Sequence, residues 1–186
     1  MLNKSNLITT TVTVGTAPQC VATEENYVWV ANSSSANVTR IKKSDLTTTT
    51  IAVGTNPEGI AVDANYVWVA NNGSDNVTRI KKSDLTTTTI AAGSGPFGVA
   101  VEETYCWVAN NGSNNVTRIL KSDLSKTTIA VGTNPFGVAV DETCVWVANV
   151  SSNNVTRILK SDLTTSAIAA GTYPVGISVD ATYIWV

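Results

Sequence analysis

The sequence predicts an all-β fold built from one four-strand unit used repeatedly. Three observations lead there. First, Trp29, Trp68, Trp107, Trp146 and Trp185 recur at a constant interval of 39 residues. Gly15, Gly54, Gly93, Gly132 and Gly171 keep that interval, as do Pro18, Pro57, Pro96, Pro135 and Pro174, and Arg40, Arg79, Arg118 and Arg157. Second, each unit holds four short segments rich in β-branched and aromatic residues, separated by Gly-, Asn-, Asp- and Ser-rich turns. Third, no stretch carries a helical period longer than about one turn.

In the third unit, strand A is Phe97–Val101, an apolar run after a Gly-Pro turn. Strand B is Tyr105–Ala109, strand C is Asn115–Leu120 and strand D is Lys126–Val131. Four antiparallel strands in 39 residues match the size of one β-propeller blade. The strands are apolar on both faces instead of strictly alternating, so a lone sheet would leave two surfaces uncovered. Radial packing of copies covers both. The expected architecture is therefore a β-propeller of four-stranded antiparallel blades, five in number, forming one domain over residues 1–186.

The phase of the repeat matters. Units begin near Lys4, Lys43, Lys82, Lys121 and Lys160, so the chain opens just before a D strand, roughly Leu7–Val14. The last unit stops after strand B at Val186, 12 residues short of completion. The absent piece corresponds to Ala148–Leu159, which contains strand C. Three readings stay open: a piece of a longer chain, a ring that tolerates a three-stranded last blade, or a gap filled by a strand from another chain.

Composition narrows the function classes. The chain has 186 residues, 43% of them hydrophobic, with Lys+Arg 12 against Asp+Glu 14 and a net charge of −2. That balance gives no electrostatic reason to expect nucleic acid or an anionic membrane as partner. No apolar run approaches the roughly 20 residues of a membrane span. Met1 to Asn6 lacks the basic-then-apolar layout of a signal peptide. Histidine is absent, which removes Ser-His-Asp and Cys-His chemistry and imidazole metal sites. Cys20, Cys106 and Cys144 occupy different positions of the repeat and read as free, mostly buried thiols.

Individual positions carry expectations of their own. Each strand B Trp should pack between blades. The acids Glu24, Asp63, Glu102, Asp141 and Asp180 fall in the A–B turn, where capping is the expected role and a cation-binding ring the sharper alternative. The strand C Arg should snorkel, or pair with a Ser-Asp-Leu aspartate of a neighbouring turn. Lys42-Lys43 and Lys81-Lys82 read as solvated turn charges. Gly93-Ser-Gly-Pro-Phe-Gly98 is a literal G-x-G-x-x-G, but a strand follows it where a dinucleotide site needs a helix. Asn37-Val-Thr39 and its repeats match the glycosylation sequon, and they equally suit a turn entering a β-branched strand.

The most informative position is the one after the repeated Pro. It reads Gln19, Glu58, Phe97, Phe136 and Val175 in successive units. Strand A should enter there at the mouth of a central channel, and different side chains on a common frame are what a binding site on a scaffold needs. With a single carboxylate, Glu58, in that set, no metal, cofactor or catalytic residue is assigned.

The runs Val131-Gly-Thr-Asn-Pro-Phe-Gly-Val-Ala-Val-Asp141, Val145-Trp-Val-Ala-Asn149 and Asn154-Val-Thr-Arg-Ile158 resemble the YVTN family of β-propeller repeats, across the whole chain. The resemblance implies a propeller used for binding or adhesion, often exported or surface-associated, with lyases and lactonases among related propellers. The expected function is a non-catalytic scaffold for a protein or small ligand. Self-assembly through the open last blade is the second reading, and a propeller-type lyase or lactonase the third.

Overall fold

Side chains alternate across a strand, so sheets made of Val-, Ile- and Trp-rich segments have two apolar faces that other sheets must cover. A computed structural model, in which residues 9–186 are described, meets that need by stacking blade on blade. The first blade comprises β1 (Pro18–Thr23), β2 (Tyr27–Asn32), β3 (Asn37–Lys42) and β4 (Thr48–Ala52). The second comprises β5 (Pro57–Val62), β6 (Tyr66–Asn71), β7 (Asn76–Lys81) and β8 (Thr87–Ala91). β9 (Pro96–Val101), β10 (Tyr105–Asn110), β11 (Asn115–Leu120) and β12 (Lys126–Ala130) form the third. β13 (Pro135–Val140), β14 (Cys144–Asn149), β15 (Asn154–Leu159) and β16 (Thr165–Ala169) form the fourth. Each is a four-stranded antiparallel sheet in chain order, and β17 (Ser178–Val179) with β18 (Ile184–Trp185) begins a fifth. Among the described residues there is no α-helix, only one 3₁₀ turn at Asn72–Ser74.

This is the β-propeller arrangement expected from the repeat. One expected element differs. Of the proposed N-terminal D strand, Leu7 and Ile8 lie outside the described residues, and within the remainder only Thr9 makes a β-bridge. A D strand is held by hydrogen bonds to the C strand of its own blade, and among the described strands none pairs with this segment.

The seams between blades hold the core. At the first seam Trp29, Ala31, Val38 and Ile51 pack on Ile60, Val67, Val69 and Ile80 of the second blade. The second seam places Trp68, Ala70, Val77 and Ile90 on Cys106, Val108 and Ile119. The third places Trp107, Ala109, Val116 and Ile129 on Val145, Val147 and Ile158. The Trp series shows that the following blade does the burying. Trp29, Trp68 and Trp107 are buried, Trp146 is half-buried, and Trp185 in the short fifth sheet is 58% exposed.

Strand register explains the Arg. Trp29 stands opposite Arg40, Trp68 opposite Arg79 and Trp107 opposite Arg118. The guanidinium therefore lies on the aromatic pair of strand B, 4.7 Å from the Tyr27 ring for Arg40, 4.4 Å from Tyr66 for Arg79 and 4.5 Å from Tyr105 for Arg118. The expected pairing with a turn aspartate is not what these Arg make. Asp45 and Asp84 instead accept hydrogen bonds from Thr47 and Thr86, which first, and then Lys42 and Lys81, hold both carboxyls at a pKa of about 2. In the same turns Leu46, Leu85, Leu124 and Leu163 adopt positive φ of 61–64°. That conformation is unfavourable for a side chain with Cβ. Leu85, Leu124 and Leu163 offset it by packing against the three seams.

Truncating Trp107 to Ala should cost about 3–5 kcal/mol in denaturant unfolding, the range for a buried Trp. Trp185→Ala on the same chain should cost under about 1 kcal/mol, as for an exposed position. Equal losses at the two positions would mean that seam burial is not what these residues supply.

Candidate ligand site at the channel mouth

Strand A of each blade is the innermost, because β1, β5, β9, β13 and β17 neighbour one another in turn along the arc. Their approach is set by glycine. A Cβ on Gly59 would lie 1.9 Å from the carbonyl oxygen of Phe97, one on Gly98 2.2 Å from that of Phe136, and one on Gly137 2.5 Å from that of Val175. Backbone thus meets backbone along the inner strands, and the residue before each glycine is carried to the start of its strand A.

The five positions expected there lie in order on these adjacent strands. Phe97 and Phe136 meet, with ring centroids 3.6 Å apart and planes at 34°, and both are half-buried. Glu58 accepts a hydrogen bond from Ser33 Oγ at 3.0 Å, which ties the mouth to the B–C loop of the first blade. Gln19 and Val175 are exposed, at the two ends of the arc. The centre of the series is therefore brought together, whereas its two ends stand apart.

The D–A and B–C loops share the face around the mouth, as the strand directions require. Ser33 N–H donates to Ala17 O, and Asn72 N–H to Asn56 O. Side chains join neighbouring blades on this face. Asp75 Oδ1 accepts from Gly95 N–H at 2.8 Å, Asn114 Oδ1 from Asn134 N–H at 2.8 Å and Asn153 Oδ1 from Tyr173 N–H at 2.9 Å. Ser151 Oγ donates to Asn134 Oδ1 at 2.7 Å. These loops thus present amides, hydroxyls and the Asp75 carboxylate on the face that carries the Phe97–Phe136 pair.

The A–B turn acids, on the opposite face, do more than cap. Glu24, Asp63, Glu102, Asp141 and Asp180 each accept the indole N–H of their own unit's Trp, at 2.6–2.9 Å. Asp63, Asp141 and Asp180 also accept backbone N–H groups of their turns. Lys82 then pairs with Glu24, Lys121 with Asp63 and Lys160 with Glu102, each ion pair crossing a seam. The reading of Lys82 as a solvated charge is corrected by this, since its side chain is only 20% exposed. No group of three or more Asp, Glu or Cys able to hold a metal occurs among the described residues, so these acids do not converge as a cation ring. Partial burial works against ionisation of Asp63. Hydrogen bonds from Lys121, Trp68, Asn65 and Tyr66 outweigh it and hold the carboxyl below the usual aspartate range.

The sequon asparagines are also accounted for. Asn37, Asn76, Asn115 and Asn154 are half-buried at the start of strand C, where their Oδ1 accepts from buried Asn32, Asn71, Asn110 and Asn149 at 2.7–2.8 Å. Their amides are therefore engaged within the blade. Cys20, Cys106 and Cys144 are free thiols, and burial pushes Cys106 well above the ordinary range. Cys20 occupies the strand A position that glycine holds in the other units.

No protein-family model matches the chain, and no curated protein matches it. Solved structures do, and together with the blades they define the class as β-propeller. A streptogramin B lyase superposes with a TM-score of 0.83 at 16% identity, over 92% of this chain and 62% of its own. A functionally unknown protein from Desulfotomaculum acetoxidans gives 0.77 at 15% identity, over 91% and 61%. A chain of a nidogen/laminin complex gives 0.70 at 13% identity, over 86% and 66%. The chain thus spans about three fifths of the length of the first two.

Two outcomes follow from the site geometry. Gly98→Ala forces a Cβ into the Phe136 carbonyl and should lower stability by roughly 1–3 kcal/mol, as overpacking does, seen as a fall in urea midpoint. For Asp63 the folded chain binds fewer protons than the unfolded one, so its contribution is full above the unfolded pKa. It should be lost as pH falls below ~4 through the lowered value. Asp63→Asn should flatten that acid limb in urea titrations. An unchanged limb would place the acid sensitivity elsewhere.

Proposed function

We propose that this chain is a non-catalytic β-propeller of YVTN-type repeats, and that its channel mouth binds a protein segment or small ligand. The observation that carries the reading is the Phe97–Phe136 pair beside Glu58. It is a half-exposed aromatic platform at a position that changes chemistry from unit to unit on a largely repeated frame. A position free to vary where the frame is held by glycine is where recognition can be written without cost to the seams. The surrounding Asn, Ser and Thr side chains supply neutral donors and acceptors for orientation.

The non-catalytic part of the reading draws on the chemistry present. The chain has no histidine, and its turn acids are occupied by indole N–H groups, three of them also by Lys from the next blade. The solved neighbours named above include a lyase and a member of a protein complex, so likeness of fold does not choose between classes.

The test is selection from a random peptide library displayed on phage, on the wild-type chain, with counter-selection on the Phe97→Ala/Phe136→Ala chain. Peptides retained by the first and released by the second are expected, with at least tenfold weaker binding to the variant, as for loss of aromatic anchors. Peptides that bind both chains alike, or a selection without mouth-dependent binders, would overturn the proposal. The variant's circular dichroism should match the wild type.

A further inference from the structure

The first blade presents a face that every other complete blade has covered. Val21, Val28, Val30 and Ile41 stand one unit before Ile60, Val67, Val69 and Ile80, which are buried at the first seam. Here Val21 is 57% exposed, and these residues wall a cavity of about 340 Å³. Val12 and Val14 close one side of it, and stand one unit before Ile51 and Val53 of the first seam. That seam also holds Trp29 and Ala31 from strand B, and nothing in the described chain fills the matching place beside Val21.

The other end of the arc carries the matching group. Trp185 is the strand B Trp of the fifth unit, exposed between Ile184 and Val186, with its indole N–H on Asp180 at 2.7 Å. Charge follows the same logic. At three seams a Lys pairs with the acid 58 residues before it. Lys43, the same residue one unit earlier, lies at the rim of the first-blade cavity with its amine on its own blade's Glu24 carbonyl oxygen. Asp180 is the turn acid at the far end, and the seam pattern sets a Lys43 from a following blade opposite it.

We propose that the fifth sheet of one copy docks on the first blade of a second copy, with Trp185 seated in the cavity beside Val21 and Asp180 facing the second copy's Lys43. The contact repeats the internal seam and joins head to tail, unlike strand addition at the missing C position. It is heterologous, so each copy offers one donor end and one acceptor end. It does not depend on what the channel mouth binds.

Sedimentation velocity of the 186-residue chain over a concentration series tests it. Dimers or longer assemblies are expected, growing with concentration. Trp185→Ala and Val21→Asp change exposed side chains and should keep the fold, checked by circular dichroism, while each weakens self-association roughly tenfold or more. Mixing the two variants is the sharper arm. One keeps a sound first blade and the other a sound fifth sheet, so together they should form a single junction and stop at the dimer. A wild-type chain that stays monomeric would overturn the proposal, including one whose Trp185 is shielded from iodide by closure within one chain. Association unaffected by both variants, or a mixture that fails to pair, would overturn it equally.

Discussion

A single arrangement recurs at every complete seam, and the rest of the structure hangs on it. The strand B indole is sandwiched between sheets while its N–H is held by the acid five residues earlier. A bare Trp in an apolar seam would leave one polar hydrogen without a partner, and the turn acid removes that cost. The same carboxylate draws in a Lys from the next blade, so one group ties together the turn, the core and the neighbouring sheet. The Arg opposite the Trp adds a cation over the aromatic pair from the adjacent strand.

Much of this was legible in the sequence, for a definable reason. A constant interval lets each unit vote on the same strand, so segment C of the third unit was placed at Asn115–Leu120, where the strand runs. The seam role of Trp followed from needing apolar cover on two faces. The acid–Lys pairs were not legible, because the partners belong to different units and lie 58 residues apart. A signal existed in the Lys that always trails the turn acid of its own unit by 19 residues. Of the two roles open to the Arg, pairing with a turn aspartate is not the one it takes, because strand register puts it across from Trp, which the sequence does not show. At the mouth, the contact of Phe97 with Phe136 could be expected from consecutive units. The link from Glu58 to Ser33 could not, since it depends on how a loop of one blade leans on the next.

The two faces of the disc differ in chemistry. One is tied by ion pairs that cross seams, the other by Asn amides and the Asp75 carboxylate, which accept backbone N–H groups from loop to loop. The Lys–acid pairs that hold blades together thus lie on one face, and the other face carries Glu58 and Asp75, neither paired with a Lys among the described residues.

The glycines of strand A have a consequence for how such a chain can change over generations. Because Gly59, Gly98 and Gly137 let backbones touch, the inner wall at these three units is made of peptide groups. Slippage during replication that deletes or duplicates one whole unit in frame would regenerate the same seam at the point of joining. Point mutation inside a unit has no such freedom, since a single methyl at these glycines collides with the neighbour. Copy number is thus the cheap variable of this architecture and the inner wall the fixed one, which would let a lineage test wider or narrower rings faster than it could redesign a blade.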